Sequence, residues 1–299
     1  MKNLFTRCDG PTWLVALALY GCWALLLAIH AHLSWWLITP LGAYLGAWHF
    51  SLQHEAIHAF RSAPAWLRSA VVMPPLGLWL PFPLYRAAHT KHHQNTHLTE
   101  PGVDTESVYW ARADWAALPA WRRAVLTANQ TLLGRVTLGP LLRLEKLVRR
   151  ETARLATGDF SHLGHWAVHV LLVALLFAYV SGVCGMPWWQ YVLGIAWPAF
   201  GLGWVRSFIE HRYGTRPAER TAIVESNLFW SLLFLNNNLH AVHHLYPRMP
   251  WWEIPAYFRA HRARILARNG GYYFRGYAEV ARRWGLKPAF KPVHPKTEV

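Results

Sequence analysis

The hydrophobic and charged positions of this 299-residue chain separate into long blocks instead of alternating at short range. No Asp, Glu, Lys or Arg occurs between Gly10 and His54, or between Phe160 and Val205. Each of these two stretches is more than twice the ~20 residues that a helix needs to cross a bilayer. The pattern therefore predicts two pairs of membrane-spanning helices, because a soluble core does not explain two charge-free stretches of this length.

Turn residues and interfacial tryptophans divide each charge-free stretch into a hairpin. The predicted spans cover about 13–30, 36–53, 165–183 and 187–205. We expect the fourth helix to continue past the bilayer and to carry Glu210 and His211. The apolar segment 71–84 contains four prolines, which argues against a straight spanning helix.

The predicted fold is an all-α integral membrane protein. It has four transmembrane helices in two hairpins, and a cytoplasmic helical cap carries the candidate site residues. We predict a single domain over residues 1–299. Its membrane hairpins lie at about 13–53 and 163–205, and its cytoplasmic catalytic parts lie at about 54–162 and 206–299.

The composition supports a membrane protein and not a nucleic-acid-binding one. Hydrophobic residues make up 54% of the chain and charged residues only 15%, against about a quarter in soluble domains. The net charge is +15, and every Lys and Arg lies outside the two charge-free stretches. This is the positive-inside pattern, which places both termini and the central loop in the cytoplasm. No nucleic acid partner is expected.

Histidines recur at spacings that place their side chains on one face of a helix. The three clusters are His54 and His58; His89, His92 and His93; and His240, His243 and His244. Neutral imidazole binds zinc, copper, iron and nickel, and eight histidines exceed the ligand number of one ion. The clusters therefore predict two metal ions. A structural zinc site would often use Cys, so we favour iron that activates oxygen.

The clusters resemble the three histidine boxes of the membrane fatty acid desaturase and hydroxylase superfamily in composition, order and relation to the hydrophobic pairs. The resemblance covers about 35–250. It implies a non-haem di-iron centre that uses O2 to abstract hydrogen from an unactivated C–H bond in a fatty acyl or similar alkyl lipid. It also implies that no side chain beyond the metal ligands is catalytic, and that the protein lies in a bacterial inner membrane.

The resemblance further implies a ninth metal ligand. Segment 208–214 looks like the corresponding segment of membrane alkane hydroxylases, which makes His211 that ligand. Related enzymes often have Asn four residues earlier, where this chain has Ser207. Metal-bound imidazoles usually donate their second N–H group to an acceptor. The candidate acceptors near the clusters are Glu55, Asp104, Glu106, Glu210, Asn236, Asn237 and Asn238.

Several functions remain open from the sequence. Fatty acid desaturation is the first choice, and the alternatives are lipid hydroxylation by a monooxygenase and terminal-alkene-forming fatty acid decarboxylation. Desaturases and hydroxylases share the boxes, so the boxes do not decide between those two reactions. The chain shows no cytochrome b5-like module, so we expect a separate ferredoxin, rubredoxin or cytochrome with its reductase as electron donor. A histidine-rich metal transporter is the alternative from another class, although transporters usually place ionisable groups inside membrane helices.

Overall fold

Helices form most of the secondary structure in a computed structural model, which describes residues 4–297. The α-helices are α1 Leu4–Arg7, α2 Gly10–Ile29, α3 Trp35–His58, α4 Ala65–Val72, α5 Phe82–Gln94, α6 Arg112–Ala117, α7 Ala120–Ala128, α8 Leu132–Thr137, α9 Gly139–Ala156, α10 Leu163–Phe177, α11 Trp188–Tyr191, α12 Trp197–Ser207, α13 Leu228–Leu233, α14 His240–Leu245, α15 Ile254–Arg268 and α16 Tyr277–Trp284. The 3-10 segments are His30–His32, Pro217–Arg220 and Pro295–Thr297, and the π-helical segments are Ala178–Val183 and Val192–Ala196.

Two short strands interrupt the otherwise helical structure. Strand β1 covers Ile223–Val224 and strand β2 covers Tyr273–Phe274. They pair in parallel, with Ile223 opposite Tyr273 and Val224 opposite Phe274. The all-α prediction is thus confirmed for the bulk of the described chain, and this small pair is the addition that the sequence did not predict.

The chain divides into two compact units. The first unit contains the chain as far as Arg86 together with Pro140–Gly203. The second unit contains Ala87–Gly139 together with the chain from Trp204 onward. The predicted membrane hairpins lie largely in the first unit, whereas the second and third histidine clusters lie in the second unit.

The first unit is built around α3, which packs against α2 on one side and against the π-helical segment Val192–Ala196 on another. Small residues allow these helices to approach closely. A Cβ atom added at Gly42 would lie 2.6 Å from the Ile195 side chain, and one added at Gly46 would lie 2.5 Å from the Ala199 Cβ atom. These glycines therefore set the distance between α3 and the segment that leads into α12.

Two helices of the first unit have the length and apolar composition to cross a membrane. They cover Gly10–His32, with 23 residues, and Leu163–Val183, with 21 residues. Large apolar side chains point outward on both, including Leu17 at 69% exposure and Val170 at 62%. Such exposure suits lipid and not water. Helix α3 has 24 residues, but its second half carries buried polar groups, and the four-span arrangement remains a prediction.

The proline-rich segment after α4 forms no straight helix, as its composition predicts. Helix α4 ends at Val72 and α5 begins at Phe82. Buried polar side chains hold the intervening backbone: Gln53 donates to the Val72 carbonyl at 3.0 Å, and the Tyr191 hydroxyl donates to the Leu76 carbonyl at 2.9 Å. These hydrogen bonds satisfy carbonyl groups that no helix satisfies here.

The second unit has its own hydrophobic core. This core contains Ile223, Leu239, Val242, Ile254, Phe258 and Ile265. It joins β1, α14 and α15, and every one of these side chains is at most 5% exposed. Because Val242 lies on the core face of α14, the histidines of that short helix are fixed in position by the packing.

Candidate metal centre

The second and third histidine clusters lie on helices of the second unit, as the sequence predicts. Helix α5 carries His89, His92 and His93, and α14 carries the third cluster. The chain enters α14 through Leu235 and Asn236, whose φ angles of 45° and 56° are left-handed. This turn redirects the backbone and starts a new short helix at the first histidine of the cluster.

His211 is positioned by extended backbone and not by a helix. Helix α12 ends at Ser207, and His211 forms an isolated antiparallel bridge with Thr221. The expectation that the fourth helix carries Glu210 and His211 is therefore wrong. The physical reason is that backbone groups on both sides of His211 bond across the bridge: Arg212 N–H donates to the Arg220 carbonyl, and Ala222 N–H donates to the Glu210 carbonyl.

Four histidines of the second unit form a first group, and each of them can place a ring nitrogen within 4.8 Å of the others. They are His92, His211, His240 and His244. The Nε2 atom of His211 lies 3.1 Å from Nε2 of His92 and 3.0 Å from Nε2 of His240. Two nitrogens bound at right angles to one ion at about 2.1 Å, a usual metal–imidazole distance, lie about 3.0 Å apart. The spacing of these atoms therefore fits ligation of one ion.

His244 supplies a further observation in favour of a metal. Its Nε2 atom is buried and has no hydrogen-bond partner within residues 4–297. A buried polar atom without a partner costs free energy, and most such atoms in native structures have one. An ion in the first group would satisfy this nitrogen.

Three other histidines of the second unit form a second group: His89, His93 and His243. The Nε2 atoms of His93 and His243 are 3.1 Å apart. The His93 ring also stacks on His244 of the first group, with 4.3 Å between ring centroids and 15° between planes. The two groups are therefore neighbours in the second unit.

The remaining cluster belongs to the first unit. His54 and His58 lie on the last two turns of α3, and their ring centroids are 5.0 Å apart. Glu55, which directly follows His54 in sequence, is buried, with 6% exposure. Helix α3 thus presents the pair one turn apart, as the spacing predicts.

Carboxylates fix the orientation of two rings on α5. Nδ1–H of His92 donates to Asp104 at 2.7 Å, and Nδ1–H of His89 donates to Glu106 at 2.7 Å. Asp104 also accepts the Thr99 N–H group at 2.7 Å. A proton on Nδ1 leaves the lone pair on Nε2, so both rings present Nε2 as the metal-binding atom.

The rings of His211 and His240 are held in the same way. Nδ1 of His211 faces the Arg220 carbonyl at 3.3 Å. Nδ1 of His240 lies 3.0 Å from the Asn237 side-chain oxygen and 3.3 Å from Glu210. Glu210 in turn forms an ion pair with Arg206 at 2.6 Å. Three rings of the first group therefore direct Nε2 toward each other and Nδ1 toward an acceptor.

Burial and charge set the protonation of the first group. Burial lowers the pKa of His211 to about 3 and lowers the pKa of His240 and His244 well below the usual value. These rings are neutral, the form that binds metal ions. Burial opposes protonation of His92 too, but nearby carboxylates, Glu106 foremost, raise its pKa to about 9. A metal ion would therefore displace a proton from His92.

The other predicted acceptors contact backbone groups. The Ser207 hydroxyl donates to the Trp204 carbonyl of its own helix at 3.5 Å. The Asn236 amide donates to the Trp251 carbonyl at 2.9 Å, and the Asn238 amide donates to the Val224 carbonyl at 2.6 Å. These two Asn side chains hold the loop before α14 in place.

Two residues that the sequence did not single out shape the surroundings of the site. Arg220 is 3% exposed and donates to the carbonyls of Leu98, at 2.8 Å, and Gly214, at 2.9 Å. Thr99 is buried with a left-handed φ of 74°, an unusual conformation for a β-branched residue. Its N–H group donates to Asp104 at 2.7 Å. No spacing signal marks either residue, because their partners are distant in sequence or belong to the backbone.

Comparison with known proteins agrees with this geometry. A family model described as fatty acid desaturase matches residues 31–277. The matched region contains all nine histidines discussed above. No curated protein matches the chain.

Proposed function

We propose that the chain, which belongs to the fatty acid desaturase family, is a membrane-bound di-iron oxidase acting on an unactivated C–H bond of a fatty acyl or similar alkyl lipid. The observation that carries this proposal is the first histidine group. Three of its four rings direct Nε2 toward each other while hydrogen-bond acceptors hold Nδ1. This is the donor set of a metal site and has no other evident role in the described chain.

The proposed ligands of one iron are the four histidines of the first group. The proposed ligands of the other iron include His89, His93 and His243. His54 and His58, the first histidine box, are also proposed iron ligands, as the family resemblance implies. When bound, iron would supply the redox chemistry with O2 that cleavage of an alkyl C–H bond requires. All-imidazole ligation suits iron, as it suits copper and zinc, and the family favours iron among these.

The protein's own contribution is to orient and neutralise the ligands. Asp104 and Glu106 fix the tautomer of two rings on α5, and Asn237 does so on α14. Burial keeps most rings unprotonated and excludes bulk water from the first group, whose histidines His92 and His240 are at most 2% exposed. Preorganised neighbours of this kind typically change metal affinity by about 10–100-fold.

Desaturation is the reaction we propose, with hydroxylation and terminal-alkene-forming decarboxylation as alternatives at the same site. All three begin with hydrogen abstraction from the alkyl chain, and they differ in the second step. Loss of a second hydrogen gives a double bond, addition of oxygen gives an alcohol, and loss of the carboxyl carbon gives a terminal alkene. The choice depends on how the substrate lies against the ligands.

We further propose that the chain crosses a bacterial inner membrane four times, with its histidine clusters on the cytoplasmic side. The two long apolar helices and the confinement of Lys and Arg to other segments support this orientation. A separate ferredoxin, rubredoxin or cytochrome with its reductase would deliver electrons. The net charge of +15 favours an acidic carrier.

The test is lipid profiling of cells that express the chain with a compatible redox partner, beside a His243→Ala control, under isotopically labelled dioxygen. We expect new unsaturated fatty acids without the label, absent from the control. Labelled alcohols would establish hydroxylation instead, and alkenes one carbon shorter would establish decarboxylation. Product formation that persists in the His243→Ala control would contradict the metal assignment.

A further inference from the structure

The second unit contains a cavity of about 540 Å³ that none of the proposed chemistry uses. Its volume lies within the usual range for small-molecule sites. Seven of its fourteen described lining residues are aromatic, three are cationic and none is acidic. A cavity with this lining selects against cations and favours an anion attached to a planar or apolar group.

Arg212 and Lys291 supply the positive charge. Neither forms an ion pair within the described part of the chain, whereas the third cation, Arg283, pairs with Glu279. The Arg212 guanidinium lies over the Tyr272 ring, 4.1 Å from its centroid. This stacking fixes the position of the guanidinium, which binds a phosphate with two parallel hydrogen bonds.

An aromatic wall lines the cavity and consists of Tyr109, Tyr213, Tyr272, Tyr273, Phe274, Trp284 and Phe290. Hydrogen bonds hold two of its rings in place. The Tyr272 hydroxyl donates to the Ile209 carbonyl at 2.6 Å, and the Tyr109 hydroxyl oxygen accepts the Tyr213 N–H group at 3.2 Å. Trp284 is partly exposed at the end of α16, and the guanidinium carbon of Arg283 lies 5.8 Å from the centroid of its ring. Tyr109 and Tyr272 are buried, so Trp284 is the ring among these three that can stack on a planar group.

The C-terminal segment closes one side of the cavity and is tied to the rest of the unit. Trp110 N–H donates to the Pro292 carbonyl at 2.8 Å, and His294 N–H donates to the Trp110 carbonyl at 2.9 Å. These bonds directly follow Lys291 in sequence and hold the adjoining backbone beside the aromatic wall. The cavity is therefore a built feature of the second unit.

We propose that this cavity binds a phosphate ester that carries a planar ring, as a nucleotide does. Arg212 and Lys291 contact the phosphate, and the ring stacks on the aromatic wall that includes Trp284. Charge alone would serve an inorganic ion, but seven aromatic residues and this volume exceed what such an ion needs. The proposal is independent of the iron chemistry, because binding requires neither iron nor turnover.

The test is calorimetric titration of the whole purified chain in detergent with adenosine diphosphate. Pyrophosphate provides the charge without the ring, adenosine provides the ring without the charge, and glycerol phosphate represents a lipid head group. We expect adenosine diphosphate to bind at least about tenfold more tightly than any of the other three, since it alone makes both sets of contacts.

Matched variants locate the binding. Lys291→Gln should weaken adenosine diphosphate binding about five- to tenfold, the usual effect of losing one charge-assisted contact. Lys287→Gln removes the same charge from an exposed lysine that does not line the cavity, and binding should be unchanged. Trp284→Leu should weaken binding of adenosine diphosphate but leave that of pyrophosphate unaltered.

Three results would overturn the proposal. They are no binding of adenosine diphosphate at millimolar concentration, equal binding of pyrophosphate or glycerol phosphate, and equal effects of the two lysine substitutions. The second result would mean recognition of charge alone, and the third would mean attraction to the overall basic surface. Lipid oxidation by the same preparation is scored separately, so failure of the nucleotide site leaves the proposed function intact.

Discussion

Asp104 is predicted to control iron affinity through His92, and Asp104→Asn tests this. The carboxylate accepts three N–H groups: Nδ1–H of His92 at 2.7 Å, Thr99 N–H at 2.7 Å and Glu106 N–H at 2.9 Å. One oxygen accepts two of these groups and the other oxygen accepts the third. An Asn side chain has only one acceptor oxygen, so its NH2 group must face at least one of the three donors.

The expected magnitude is set by these contacts. Replacing the charged carboxylate partner of a metal-bound imidazole by a neutral amide lowers metal affinity by about 10–100-fold, or about 1.4–2.8 kcal/mol. A buried N–H group left without an acceptor costs a further ~1–3 kcal/mol of stability in the metal-free chain. The two effects are separable, because only the first depends on iron.

The assay is competition for ferrous iron against a chelator under anaerobic conditions, with thermal unfolding of the metal-free chain measured alongside. Asp114→Asn is the matched control, because Asp114 is exposed on α6 and its substitution removes the same charge. Equal iron affinity of Asp104→Asn and Asp114→Asn would show that the Asp104 carboxylate does not act through His92. Lower stability with unchanged iron affinity would show the same, because Asp104 would then be purely structural.

Three further outcomes are expected. Asn237→Ala should lower iron affinity by less than about tenfold, since His240 keeps a carboxylate 3.3 Å from Nδ1; the same chelator competition measures it. Gly46→Ala should destabilise the chain by about 1–3 kcal/mol in thermal unfolding, because the added Cβ atom would lie 2.5 Å from the Ala199 Cβ atom. Gly21→Ala is the control and should not destabilise the chain, because the space around Gly21 is open. Iron affinity should rise about tenfold per pH unit from about pH 6.5 to about pH 8.5. The pKa of His92 is raised, so below that pKa iron must displace a proton from the ring in order to bind. An iron affinity that does not change over this pH range would contradict this.

Much of the site was predictable because ligand spacing and helix geometry coincide. His89, His92 and His93 lie on α5, and the third cluster lies on α14. In these helices the i, i+3 and i+4 positions share a face, so the pattern specified which imidazoles approach each other. The two long charge-free stretches likewise indicated where the apolar helices lie.

The surroundings of His211 were not predictable in the same way. The sequence favoured a helix that continues through it, which would have put Ser207 one turn before it on the same face. The helix instead ends at Ser207, and His211 lies in a bridge with Thr221. A bridge between two short segments leaves no periodic signal in the sequence. The predicted placement of Ser207 one helical turn before His211 therefore does not hold.

Contacts between distant parts of the chain were also beyond sequence reasoning. Arg220 donates to the Leu98 carbonyl across 122 positions. Sequence spacing gives no indication of such a pair, and a buried Arg bound to backbone carbonyls resembles a surface Arg in sequence. The sequence indicates Asp104 as a candidate acceptor because it lies soon after the second cluster, and the structure identifies His92 as its partner.

The metal content of the purified chain, isolated from iron-rich medium, is the decisive measurement for the di-iron assignment. We predict two iron ions per chain and a single iron in His244→Ala, because that substitution removes a ligand from the first group alone. One ion per chain, or zinc or copper in place of iron, would contradict the di-iron assignment.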